Sequence, residues 1–358
     1  MFPKLNDFKN QILAIILIAG IQFAVAQYAG TQAHDPVMAQ CEGKYYLFHT
    51  GEGIQIQSSP GMQNWTKEGQ VFSSAPDWTF EVVSDFDNVM WAPDIQKYNG
   101  KYYLYYSVSK FGRNRSAIGV ATNRTLDPED PDYKWVDHGP VVQSVPGRDM
   151  WNAIDPNLAF DEKGTPWLTF GSFWMGIKIV KLKKNLTEIA KDSPSWHTIA
   201  SRYRYWKLDE RDAGDAANPE LNYDSLYSDS TFKAARNTEY GAVEAPFIFK
   251  QNGYYYLFAS WDRCCRGKES TYKIVVGRSK NIVGPYLDKN GKDMRYGGGT
   301  IIARGNEDWA AVGHPAAYNF EDTDYLVYHG YDMDDEGKAK LMISKIKWEN
   351  RWPTISLK

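Results

Sequence analysis

HDPVMAQCEGKYYLF, residues 34 to 48, is one copy of a phrase that the chain uses five times. The others are WAPDIQKYNGKYYLYY from Trp91, AIDPNLAFDEKGTPWLTF from Ala153, VEAPFIFKQNGYYYLFAS from Val243 and GHPAAYNFEDTDYLVYHG from Gly313. Each runs from a proline through a β-type stretch and a small turn into an aromatic strand. From Pro36, Pro93, Pro156, Pro246 and Pro315 to Leu47, Leu104, Leu168, Leu257 and Leu326 the distance is eleven residues in four copies and twelve in the third. A further β run follows each copy: from Ile54, Ser116, Gly176, Tyr272 and Lys340. Short alternating or β-branched runs between Gly, Asn, Asp and Pro turns argue antiparallel strands, three or four to a repeat. Five such sheets set radially make an all-β, five-bladed β-propeller, which leaves only short protected edges.

In a propeller the first strand of each blade runs along the central channel, so the residues before the five prolines converge at one mouth. Those residues are Asp35, Ala92, Asp155, Glu244 with Ala245, and His314. A lone Asp-Pro is an ordinary turn opener. Asp35 and Asp155 at one repeat position, with Glu244 a residue upstream in another copy, are better explained as a shared site. Three carboxylates crowded together raise at least one pKa, which is what a general acid requires. His314, at the fifth equivalent position, is a candidate metal or substrate ligand. Asp94 follows its proline and is expected to be structural or to support the site residues from behind.

The composition suits this reading. With 358 residues and 43% hydrophobic content the chain can bury a large core. The net charge of −3 comes without a long basic or acidic block, so no nucleic-acid partner is expected. Aromatic residues reach 15%, with 24 Tyr and 13 Trp; these suit strand packing and equally suit stacking on sugar rings.

Lys4 and Lys9, the apolar run from Ile12 to Val25 and Ala24-Val25-Ala26 have the form of a cleaved signal peptide, residues 1–26, and imply a secreted protein with no membrane attachment after cleavage. Residues 27–358 are then expected to be a single propeller domain and a monomer, with an insertion from Lys191 to Thr238 lying outside the third blade. Three cysteines cannot all pair with one another. Cys264 and Cys265 are adjacent, whereas ordinary bridges need about 4.4–6.8 Å between Cα atoms. The expectation is therefore thiols, with a bridge between neighbours as the alternative.

HDP, MWAPD, WNAIDPN, GSFW and EAPF followed by YYYLFASWDRCCRG resemble family 43 of the glycoside hydrolases over essentially the whole mature chain, and most closely its endo-α-1,5-L-arabinanases. The resemblance implies a five-bladed propeller acting on plant cell-wall arabinan or arabino-oligosaccharides with inversion. It implies that Asp35 is the general base, Asp155 the residue that orients and tunes, and Glu244 the general acid. It further implies substrate contacts at Trp91, Gly112, Asn152, Ala153, Ile154, Ser172, Phe173 and Trp174, and a structural or electrostatic ion, calcium, beside His314. An inverting pair must leave room for water, about 6.5–9.5 Å between carboxyls. An exo-acting α-L-arabinofuranosidase or β-xylosidase on the same fold, and a non-catalytic carbohydrate-binding propeller, remain alternatives.

Overall fold

The computed structural model describes residues 27–149, 151–190, 196–202 and 242–357. Its five blades are antiparallel meanders of four principal strands. The first blade holds Val37–Cys41, Lys44–His49, Gln55–Ser59 and Thr66–Gln70. The second holds Val89–Tyr98, Lys101–Val108, Ser116–Asn123 and Val136–Ser144, with Gly51–Glu52 added beside its first strand. The third holds Asn157–Phe160, Pro166–Phe170, Ile177–Lys181 and Trp196–Ala200. The fourth holds Val243–Gln251, Tyr254–Trp261, Lys273–Ser279 and Thr300–Arg304. The fifth takes Trp309–Phe320, Thr323–Asp332 and Lys338–Lys345 from the end of the chain and is completed by Gln27–Gln32 from its beginning.

The small turn in the repeat is a two-residue hairpin turn in four copies. Glu42-Gly43, Asn99-Gly100, Asn252-Gly253 and Glu321-Asp322 all have positive φ at both positions, the mirror-image turn whose twist matches that of paired strands. The third copy has a longer turn between Phe160 and Pro166, which absorbs its extra residue. Tyr102, Tyr106, Tyr256 and Tyr328 from the aromatic halves are fully buried in one cluster with Leu104 and Leu326. Their hydroxyls are satisfied where the rings end, as in Tyr102 to the Gln40 carbonyl at 2.8 Å and Tyr256 to the Arg351 carbonyl at 2.7 Å.

The repeat carries a second regularity at the prolines. Asp35, Ala92, Asp155, Ala245 and His314 all have left-handed backbones, with φ of 53°, 44°, 58°, 54° and 57°. The strand pairing slips at this point in the second, fourth and fifth blades, between Trp91 and Asp94, Glu244 and Phe247, and Gly313 and Ala316. Such a bulge frees the N–H of the left-handed residue from the ladder and turns its side chain. Each freed N–H finds an acceptor on the preceding blade. Ala92 donates to Thr50 Oγ1 at 2.8 Å, Asp155 to Ser107 Oγ at 3.0 Å, Ala245 to Asp155 Oδ2 at 3.1 Å, His314 to Ser260 Oγ at 2.8 Å and Asp35 to His329 Nδ1 at 3.1 Å. The five bonds form a closed belt around the channel.

Asp94 is structural, as expected: its carboxylate accepts from the Leu158 N–H at 2.8 Å and from Asn157 Nδ2 at 3.3 Å, tying the second blade to the third. One expectation changes. Trp196–Ala200 lies within the stretch read as an insertion yet forms the fourth strand of the third blade; residues 203–241 and the expected signal peptide, 1–26, lie outside the described residues. No helix among the described residues is long and apolar enough to cross a membrane.

The belt makes a measurable demand on stability. Ser260 is fully buried, and Ser260→Ala leaves the His314 N–H without its acceptor. The variant is expected to lose about 1–3 kcal/mol in denaturant unfolding, the cost of an unsatisfied buried donor.

Candidate functional site

The belt opens into a cavity of about 530 Å³ bounded by residues from all five blades. Asp35, Asp155, Glu244 and His314 all line it, so the repeat positions do converge. Trp91, Gly112, Asn152, Ile154, Ser172, Phe173 and Trp174 line it as well. Ala153 does not: it is fully buried in a core cluster with Trp151, and its N–H donates to Ser144 Oγ at 3.0 Å. The segment turns tightly here, with the Ile154 N–H bonded to the Asn152 carbonyl at 3.0 Å, so that Asn152 and Ile154 line the cavity and Ala153 between them does not. Phe173 and Trp174 both have left-handed backbones, φ 54° and 40°, and the Phe173 N–H is held by the Val243 carbonyl at 2.9 Å. Two such non-glycine residues in succession cost about 1–3 kcal/mol each, a strain that collects at functional sites.

Asp35 is the centre of a histidine cluster. Its Oδ1 accepts from His314 Nδ1 at 2.9 Å, and its Oδ2 accepts from His34 Nδ1 at 2.9 Å and from Thr50 Oγ1 at 2.6 Å. Burial alone would raise the Asp35 pKa, but the charges and hydrogen bonds of His314 and His34 hold it well below the usual carboxylate range. The effect on His314 is reciprocal: burial pushes it down, the Asp35 carboxylate outweighs that, and it is raised to about 9. The bonds behind this cluster fix its protons. His329 Nδ1 accepts from the Asp35 N–H, so its Nε2 carries hydrogen and donates to the Tyr331 hydroxyl at 3.2 Å. Tyr331 also accepts from the Cys265 N–H at 2.8 Å and lies 3.0 Å from His34 Nε2.

Glu244 sits among hydroxyls. Tyr272 donates to its Oε1 and Ser172 to its Oε2, both at 2.6 Å; Ser172, expected as a sugar contact, is first a partner of this carboxylate. Tyr272 fits because residue 313 is glycine: a Cβ there would lie 2.0 Å from the Tyr272 ring. Burial raises the Glu244 pKa, and the two hydroxyls oppose the rise without cancelling it. Asp155 is raised further, by burial and then by the negative charges of Glu244 and Asp35 against the pull of His314. The two carboxyls titrate as a pair, and burial with mutual repulsion pushes both toward the protonated form.

Asp155 also serves the belt, and Gly171 explains why. Thr50, Ser107, Ser260 and His329 each follow the repeat leucine by three residues, and in the third blade that position is Gly171. A Cβ there would lie 2.7 Å from the Gly176 carbonyl oxygen. With no side chain available from Gly171, the Ala245 N–H is taken by Asp155, which is thereby fixed one residue from Glu244.

The fit of an ion can be judged from its donors. His314 gives Nδ1 to Asp35 and leaves Nε2 without a hydrogen-bond partner among the described residues, as in a carboxylate-backed imidazole ligand. Among the described residues, His34, Asp35 and His329 bring possible ligand atoms within 4.8 Å of one another, but these atoms are engaged with each other and with Tyr331 and Thr50. Calcium takes six to eight oxygens. The residues fit an ion held by one imidazole nitrogen with a shell of water, and do not form an oxygen cage.

The cysteines depart from expectation. Cys264 and Cys265 are joined, with Cα atoms 3.8 Å apart, and Cys41 is free and buried. The bridge lines the cavity together with Arg263 and Arg266. Tyr272, Thr50, His34 and Phe111 also belong to the site and were missed. Thr50 was detectable as the residue three beyond the repeat leucine, whereas nothing in the sequence marks Tyr272.

Residues 29–353 match the profile of glycosyl hydrolases family 43. The chain belongs to this family. Family 43 relatives include an extracellular exo-α-(1→5)-L-arabinofuranosidase of Cellvibrio japonicus, 45% identical over 91% of this chain and 86% of that one. An extracellular endo-α-(1→5)-L-arabinanase of Bacillus subtilis is 41% identical over 90% of this chain and 87% of that one. The solved structure of a Cellvibrio cellulosa α-L-arabinanase complexed with arabinohexaose superposes with a TM-score of 0.80 at 44% identity, covering 91% of this chain and 96% of that one. The protein is thus a glycoside hydrolase of family 43.

Tyr272→Phe removes a hydrogen bond that favours the charged form of Glu244, so the Glu244 pKa is expected to rise further. If activity requires Glu244 protonated, the alkaline limb of the kcat/KM profile moves to higher pH, while Ser144→Ala, away from the carboxylates, leaves the limb in place.

Proposed function

We propose that this family 43 hydrolase cleaves α-1,5-linked L-arabinofuranosidic bonds of arabinan by an inverting mechanism. The observation that carries the reading is the separation of the carboxylates into two environments: Asp35 among imidazoles that keep it ionised, Glu244 and Asp155 in a buried pair pushed toward the protonated form. Asp35 takes a proton from a water as its oxygen attacks the anomeric carbon. Glu244 gives its proton to the departing glycosidic oxygen, and the configuration at the carbon inverts. Asp155 positions Glu244 through the Ala245 N–H and holds the pair at a charge at which both cannot ionise. Ser172 must turn its hydroxyl for Glu244 to be protonated on Oε2, which a freely rotating O–H allows.

Trp91, Phe173 and Trp174 are the apolar surfaces offered to the sugar. His314 Nε2, once it gives up its proton, would hold an ion with water as the remaining ligands, and that ion would supply positive charge beside Asp35. Export and extracellular action are part of this reading, supported by the form of the N-terminal sequence and by the extracellular names of two relatives. We take the action to be endo. The exo reading is favoured by the Cellvibrio japonicus relative named for it, and a product time course separates the two: endo action releases a ladder of oligosaccharides from linear debranched arabinan, exo action releases one short product from the start.

Glu244→Gln and Asp35→Asn are each expected to lower kcat by about 10²–10⁴-fold, the worth of a positioned acid or base, with arabino-oligosaccharide binding retained. Wild-type turnover in either variant would remove that residue from its role. An acid limb well below the usual carboxylate range belongs to Asp35 and an alkaline limb to the Glu244–Asp155 pair, so the profile should stay broad on its acid side. Retention of anomeric configuration in the product would overturn the inverting scheme.

A further inference from the structure

The bridge between Cys264 and Cys265 stands in the cavity wall and is not used by the hydrolysis as derived. It is supported from behind by the residues that hold both ends of the catalytic apparatus. Cys264 packs against the buried cluster of Tyr272, Ala311 and Tyr331, and Tyr272 is the residue whose hydroxyl holds Glu244. Cys265 donates its N–H to Tyr331 and places its sulfur 3.7 Å from His34 Nε2; His34 is the residue whose other nitrogen holds Asp35. Cys264 is half-buried and Cys265 exposed, so the pair is packed on its inner side and open on the other.

Once joined, the two sulfurs have neither S–H donors nor thiolates. What they present is a soft, polarizable, apolar surface in the part of the wall where Arg263, Arg266 and His34 also stand. The C–H face of a furanose ring is the matching partner: flat, apolar, and bound by dispersion at close contact. The geometry points to a sugar-binding platform. We infer that the Cys264–Cys265 bridge receives the C–H face of one arabinofuranosyl residue of the bound chain. The inference rests on the arabinan reading above for its ligand.

Two preparations test it: the folded wild-type enzyme treated with a phosphine reductant, and C264S/C265S. Alkylation and peptide mass mapping report whether the bridge is open. With the bridge open, KM for linear arabinan is expected to rise about three- to tenfold, as for loss of one ring-face contact, while kcat stays within about twofold. Reoxidation of the reduced enzyme should restore KM. An unchanged KM with the bridge open overturns the platform, as does a fall in kcat alone, or alkylation of both cysteines in unreduced protein. If C264S/C265S does not fold, the reduced wild-type enzyme decides. If no form hydrolyses arabinan, the functional reading fails separately, and calorimetry with arabinohexaose then tests the platform: weaker binding on opening the bridge supports it, and equal or absent binding overturns it. Tighter zinc binding by His34 and the two thiols after reduction, with KM unmoved, would likewise replace the platform by a metal site.

Discussion

The structure depends on a hydrogen bond made five times, from the N–H of the left-handed residue before each proline to a side chain of the preceding blade. That backbone conformation is unfavourable for Asp35, Ala92, Asp155, Ala245 and His314 alike, and it removes an amide from the ladder in a buried place. Without an acceptor each position would carry both costs. With it, each blade fixes the next at the radius where the channel residues stand. A mobile loop could carry the same side chains, but it could not hold them at distances that matter for proton transfer.

The acceptors differ around the belt, and the chemistry follows those differences. Hydroxyls at Thr50, Ser107 and Ser260 are neutral fixtures, although Thr50 also donates to Asp35. At the two remaining positions the acceptor titrates. His329 is held neutral, its pKa driven well below the ordinary value by burial and then by His34 and His314, and it fixes Asp35 from the backbone side. Asp155 substitutes for the side chain that Gly171 lacks and brings a carboxylate close to Glu244. The imidazoles thus gather at the first and fifth blades and the carboxyls with raised pKa values at the third and fourth. One framework therefore pushes one carboxyl toward ionisation and two toward protonation in a single cavity.

Much of this was legible because the repeat is regular. The prolines and leucines set the blades, and comparing residues before the prolines picked out Asp35, Asp155, Glu244 and His314. The acceptors at Leu plus three were equally readable, but their meaning required the knowledge that an amide faced them. Ala153 was misplaced because a linear motif does not say which way each side chain turns. Trp196–Ala200 was hidden by the polar sequence around it, which resembles an excursion more than a strand. The role of Tyr272 depends on Gly313, forty-one positions later, and no local pattern links the two. The cysteine bridge was judged on ordinary geometry, which adjacent residues do not obey.

The fifth blade takes three strands from the end of the chain and its last from the beginning, with Tyr28 opposite Met342. The ring is therefore closed by a contact between segments of almost maximal sequence separation, the kind whose loop-closure entropy makes folding slow. Asp35 follows that closing strand directly, while its backbone acceptor His329 and its partner His314 belong to the blade being closed. The first carboxylate acquires its setting only when the ends meet, so the last step in completing the fold also completes the site. A chain whose ends have not met lacks the His329 and His314 contacts to Asp35.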